Sequence, residues 1–132
     1  MILSVEQWRA MRRHVGRCAP LEACGLLGGN NGRVEMRLGI PNSERSPVRF
    51  RMEPHAQWRA FQRMEAAGLE LMGFYHSHPN GPDQPSPTDI LEMLYPVAQI
   101  IWFRVDGRWQ ARGFRIEGGK VAEIILEFIK PE

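Results

Sequence analysis

Val5, Trp8, Met11 and Val15 recur at spacings of three and four, while Arg9, Arg12, Arg13 and Arg17 fill positions between them. That period predicts an amphipathic helix from residue 5 to about residue 17 with its arginines turned outward. Ser4 and Gln7 form a capping box at its start, and Pro20 ends it. The continuous apolar run "ACGLLGG" predicts a buried strand closed by glycines, with "GRVEMRLGI" as its hairpin partner across the turn signal "GNNG". "VRFRM" alternates with period two and predicts a third strand. Pro54 suits a first helical turn, and Trp58, Phe61 and Met64 supply the face of a second helix that runs out at Gly68. "LELMGFYH" is apolar almost throughout, as a central strand is, and delivers its last residues to the edge of the sheet. "SPTDILEMLYP" predicts a short helix starting at Ser86 or Thr88 and stopping before Pro96. "VAQIIWFRV", "RWQARGFRI" and "KVAEIILEFI", separated by "DG" and "EGG", predict an antiparallel meander. The fold class is mixed α/β.

Composition bounds this picture without redirecting it. A chain of 132 residues, 43% hydrophobic and 24% charged, makes one globular domain over residues 1–132 and leaves no room for a second. The net charge of +2 is mild, so the arginines of the first helix read as a solvated face and not as a nucleic-acid surface. No stretch approaches the length of a membrane span, and "MILSVEQW" lacks the pattern of a secretory signal, so a cytoplasmic location and no membrane partner are expected. Cys18 and Cys24, six positions apart, fit neither a disulfide framework nor a CxxC clip and read as core thiols. Gly25, Gly28 and Gly29 follow no phosphate-binding order and read as turn and close-packing residues.

The chemistry concentrates in "GFYHSHPNGPDQPSPTD", Gly73 to Asp89. Side chains at i and i+2 of an extended segment share a face, so His76 and His78 converge on one point. Two imidazoles plus one carboxylate are a zinc donor set that leaves the fourth tetrahedral position open. Asp89, near a helix start, is the favoured third ligand, and Pro79, Pro82, Pro85 and Pro87 stiffen the loop that returns it. Asp83 is the rival carboxylate, although the turn "GPDQP" already accounts for it. Ser77 faces away from its neighbouring histidines by strand alternation. His14 reads as part of a helix surface and His55 as a residue of a first helical turn.

"HSHPNGPDQPSPTD" resembles H-[ST]-H-P-x6-S-x2-D, the signature of the JAMM (MPN-plus) metalloproteases, with no departure in spacing. The family pattern also has a glutamate before a short apolar strand, and this chain offers Glu22 in "PLEACGLLGG". The resemblance implies a cytidine-deaminase-like fold, a curved and mostly antiparallel sheet flanked by helices. It further implies that His76, His78 and Asp89 hold one Zn2+, that Glu22 is the general acid/base, and that Ser86 steadies the oxyanion. The bland alternatives are an exposed carboxylate at residue 22 and a helix N-cap at Ser86, where one hydroxyl proton cannot serve two acceptors at once.

Such enzymes cut the bond after the C-terminal tail of ubiquitin-like proteins, and small prokaryotic members are linked to sulfur-carrier proteins with a Gly-Gly end. The implied partner is therefore a ubiquitin-like or sulfur-carrier protein tail. Arg45, Arg49 and Arg51 in "NSERSPVRFRM" lie where family members carry a substrate-contacting insertion and could meet an acidic carrier, a solvated loop being the plainer reading. Two other classes stay open: a zinc hydrolase of a small amide or cysteinyl adduct, and a metal-free interaction scaffold. Trp8, Trp58, Trp102 and Trp109 exceed what a core this small needs, so one or two are expected at an interface such as that of a homodimer.

Overall fold

The computed structural model describes residues 1–93 and 95–130. β1 (Ile2–Ser4) leads directly into α1 (Val5–Cys18), whose N-cap is Ser4 with the reciprocal Ser4–Gln7 capping box in place. Met11 and Val15 are the buried residues of α1, and Arg9, Arg12, Arg13 and Arg17 are exposed. β2 (Cys24–Asn30) and β3 (Arg33–Ile40) form the expected hairpin, with Asn31 and Gly32 at positive φ in the turn. α2 (Pro54–Ala66) starts with proline in its first turn, and β4 (Glu70–His78) follows. After α3 (Pro87–Leu91) come β5 (Ala98–Val105), β6 (Arg108–Glu117), β7 (Lys120–Ile124) and β8 (Glu127–Ile129).

The eight strands form one sheet in the order β7-β6-β5-β4-β2-β3-β1-β8. Most pairs are antiparallel, whereas β4 with β5, β1 with β3 and β1 with β8 run parallel. Strand alternation then divides the core between two faces. One face packs Met11, Val15, Leu27, Tyr75, Ile100 and Trp102 under α1, and the other packs Leu26, Ile40, Ala60, Met64 and Phe74 under α2. Gly25 and Gly28 in β2 let these layers close, since a Cβ at Gly25 would strike the Tyr75 ring and one at Gly28 the Met64 side chain.

Four expectations need correction. "VRFRM" forms no strand; Met52 makes one isolated bridge to Asn42, and the segment between them is a loop, because β3 already has β2 and β1 on its two sides. The third run of the meander is two strands, with β8 leaving β7 to pair with β1 at the opposite end of the sheet. α3 ends at Leu91, with Glu92 as its C-cap, short of the expected stop before Pro96, and Leu94 lies outside the described residues. Trp58 is 60% exposed, so α2 buries Ala60 and Met64 and turns that tryptophan to solvent. Trp102, by contrast, is fully buried, and Trp8 and Trp109 pack against the same cluster.

Candidate metal centre and active site

β4 sits inside the sheet between β2 and β5, and its carboxyl end carries the HxH pair. His76 and His78 project from the α2 face, and both are buried. Their Nε2 atoms lie 3.1 Å apart. Asp89 Oδ2 completes a triangle, 3.1 Å from His76 Nε2 and 3.0 Å from His78 Nε2. Asp89 is set by local sequence: Ser86 caps α3 by accepting from the Asp89 N–H, and the Ser86 N–H donates back to Asp89 Oδ2 at 2.8 Å. Ser86 Oγ uses a lone pair in this cap, so its proton stays free for a second acceptor and the conflict expected from the sequence does not arise.

The loop between β4 and α3 is pinned at each turn. Gly81 N–H donates to the His78 carbonyl at 2.9 Å, and the Arg104 guanidinium donates to the Pro79 carbonyl at 3.1 and 3.2 Å. His78 Nδ1 lies 2.8 Å from the Pro82 carbonyl. A carbonyl only accepts, so a proton sits on Nδ1, and Nε2 is the ring atom that faces Asp89. Asp83 takes no part; it is exposed and pairs with Arg112 at 2.8 Å.

Glu22 comes from the other side of the site, in the segment that enters β2. Glu22 is 3% exposed, and its Oε1 is buried without a partner among the described residues. Glu22, His76 and His78 can bring ligand atoms within 4.8 Å of one another, so a metal could draw on Glu22 instead of Asp89. Protonation separates the two carboxylates. Burial pushes the Glu22 carboxyl up to about 8, against the pull of His78 and with a further push from Asp89. Burial also pushes Asp89 upward, but its contacts with His76 and His78 outweigh that and hold it far below the ordinary carboxylate range. A ligand must be deprotonated, and these opposite shifts favour Asp89 over Glu22 as a donor.

The donor set fits a tetrahedral cation. Zinc with bonds of about 2.0–2.1 Å to N and O separates its ligand atoms by roughly 3.3 Å, close to the triangle formed here. Three electron-pair donors aimed at one point are poorly satisfied by the few protons available and well satisfied by a cation. Residues 41–53 roof the site: Phe50 stacks on His76 with ring centroids 4.6 Å apart, and the Ser46 carbonyl accepts the Glu22 N–H at 2.8 Å. Asn42 Nδ2 donates to the Glu22 carbonyl at 3.0 Å and the Arg49 carbonyl at 3.1 Å. Arg45, Arg49 and Arg51 are exposed on this loop. Phe50 had been hidden in the apparent alternation of "VRFRM", and the Pro82 carbonyl, a backbone atom, leaves no signal in the sequence.

His14 departs from its expected place on a helix surface. Its Nδ1 lies 2.6 Å from the Tyr75 hydroxyl, which also accepts from Arg37 Nη1 at 2.8 Å. Burial, with Arg37 and Arg17 adding to it, lowers His14 to about 4.

The fold and these side chains define a class: a small α/β domain with a buried His-His-carboxylate group able to hold a metal. Residues 4–115 match the family described as prokaryotic homologs of the JAB domain, and the chain belongs to that family. The JAMM resemblance is thereby borne out. The chain is 40% identical over 117 residues to a Thermus thermophilus protein named a probable TtuB-protein conjugate cleaving protease, covering 87% of this chain and 76% of that one. It is 33% identical over 127 residues to the CysO-cysteine peptidase of Mycobacterium bovis, covering 93% and 87%. The solution structure of a Desulfitobacterium hafniense protein superposes with a TM-score of 0.86 at 33% identity, covering 100% of this chain and 94% of that one.

Proposed function

We propose that this protein is a zinc-dependent peptidase that hydrolyses the bond following the C-terminal Gly-Gly tail of a ubiquitin-like or sulfur-carrier protein. The observation that carries this reading is the triangle of His76 Nε2, His78 Nε2 and Asp89 Oδ2 at 3.0–3.1 Å, with the unpartnered Glu22 carboxyl buried in the same site. The names of the Thermus and Mycobacterium relatives support the substrate class.

In this reading His76, His78 and Asp89 hold the ion. Zinc, when bound, lowers the pKa of water to about 7 and polarises a carbonyl. A cation beside Glu22 favours its carboxylate form and brings its raised pKa down toward the working pH, where a general base is most effective. Glu22 then accepts a proton from the attacking water and delivers it to the departing nitrogen. Ser86, with its lone pair engaged in the α3 cap, donates its proton to the oxyanion that develops on the substrate carbonyl, and loss of such a donor costs on the order of 10²–10³ in rate. Phe50 and the Ser46 carbonyl hold the loop over the site, and Arg45, Arg49 and Arg51 offer positive charge to an acidic carrier surface.

A second reading keeps the same residues and changes the leaving group to a single amino acid, such as a cysteinyl adduct of a carrier; the name of the Mycobacterium relative favours it. A metal-free scaffold is disfavoured by the complete donor set. The test is mass spectrometry of a ubiquitin-like protein extended past Gly-Gly, incubated with zinc-loaded protein and, in parallel, with His78→Ala. Cleavage after Gly-Gly by the unmodified protein alone supports the first reading. Release of cysteine alone, from a carrier bearing a C-terminal cysteine, supports the second.

A further inference from the structure

His78 and His76 differ in one respect. The Nδ1 of His78 is fixed by the Pro82 carbonyl, whereas the Nδ1 of His76 is buried and has no partner among the described residues. A metal-binding imidazole that coordinates through Nε2 carries its proton on Nδ1, and that N–H needs an acceptor to hold the tautomer and the ring angle. The neighbours of His76 are mostly spoken for. Phe50 covers the ring face, Ile101 is its apolar register partner on β5, and Cys24, its partner on β2, donates its thiol to the Ile40 carbonyl at 3.3 Å.

Gln99 is the exception. It lies two residues before Ile101 on β5, paired with Phe74, and so shares the face of His76 on the adjacent strand. It is 7% exposed, its side chain is among the neighbours that partly offset the lowering of the His76 ring by burial, and among the described residues its side-chain hydrogen bond is Nε2 to Met93 Sδ at 3.7 Å. A buried amide bonded to a thioether and a buried ring nitrogen with no described partner complement each other. With Nε2 toward Met93, the amide oxygen is left to accept from another donor.

We propose that Gln99 is the positioning residue of the metal centre, its amide oxygen accepting the His76 Nδ1–H so that His76 presents Nε2 to the ion. This rests on the metal-site reading above. The amide does for His76 what the Pro82 backbone does for His78, so one ligand is held by the loop and the other by the sheet.

The test is zinc affinity by chelator competition for the wild-type chain, Gln99→Leu and Gln99→Glu, together with nitrogen NMR of the His76 ring in the zinc-loaded proteins. Gln99→Leu is expected to bind zinc 10–100-fold more weakly and to lose the exchange-protected His76 Nδ1–H signal. Gln99→Glu, which keeps an acceptor at the cost of a buried charge, is expected to restore both. Wild-type affinity in Gln99→Leu overturns the proposal. So does a failure of Gln99→Glu to rescue, since a purely structural role for the amide predicts that outcome. A wild-type chain that takes up no zinc overturns the metal-site reading, and this proposal with it.

Discussion

Ser77 Oγ accepts the Ala23 N–H at 2.8 Å, and the Ser77 N–H donates to the Ala23 carbonyl at 3.0 Å. The residue between the two histidines thus grips the residue after Glu22, and β4 fixes both halves of the site at once. Ser77 is fully buried, so Ser77→Ala leaves the Ala23 N–H without an acceptor. We expect a loss of roughly 1–3 kcal/mol in stability. We also expect a fall in kcat/KM at unchanged zinc content, because the Ser77 hydroxyl holds the residue next to Glu22 and touches none of His76, His78 and Asp89. Denaturant unfolding and kinetics check the two parts separately, and loss of zinc in this variant would contradict the separation.

Glu22→Gln removes the carboxyl proposed to carry the proton and keeps its volume. It is expected to bind zinc at one ion per chain and to lose turnover by a factor on the order of 10²–10⁴. Metal analysis alongside kinetics decides the matter, and a variant that loses its zinc would make Glu22 a ligand.

The His14–Tyr75–Arg37 cluster sets a pH dependence of stability. Tyr75 accepts from Arg37, so its own proton points to His14 Nδ1, which must be unprotonated to receive it. His14 is lowered from 6.5 to about 4, so between these values the unfolded chain holds a proton that the folded chain does not. Stability is full above pH 6.5 and falls with acidification toward pH 4, by roughly 1–2 kcal/mol once partial exposure is discounted. His14→Gln should flatten that part of the profile, as measured by urea unfolding at fixed pH steps. An unchanged slope would assign it to other groups.

A methyl group at Gly25 has nowhere to go, because the Tyr75 ring lies across that backbone. Gly25→Ala should destabilise the protein by roughly 1–3 kcal/mol and release the Tyr75 hydroxyl from its two partners. A thermal melt reads the first effect, and the acid profile of the variant, lacking the His14 contribution, reads the second.

Much of the site is local and therefore legible in sequence. HxH on a strand needs only period two, and the Ser86–Asp89 cap needs only a spacing of three, so both survive whatever the rest of the chain does. The same holds for α1, where period and capping box agree. "VRFRM" shows the limit: alternation is necessary for a strand, but pairing needs a vacant neighbour, and β1 occupies that position beside β3. His14 fails for a similar reason, since its burial is decided by Tyr75, 61 residues away. Gln99 gives no signal within an apolar strand because a single polar residue acquires meaning only from what stands on the next strand. The division of "KVAEIILEFI" into β7 and β8 likewise depends on a partner at the far end of the chain.

That last pairing has a consequence for how the chain is made. Glu127 N–H donates to the Met1 carbonyl at 2.9 Å, and Phe128 lies edge-on against Trp8 with ring centroids 4.4 Å apart. During synthesis β1 and the Trp8 flank of α1 are made more than a hundred residues before the strand that covers them. Contacts of such long sequence separation form late. Until β8 is made, the nascent chain therefore carries an open strand edge at β1 and leaves Trp8 without the Phe128 contact.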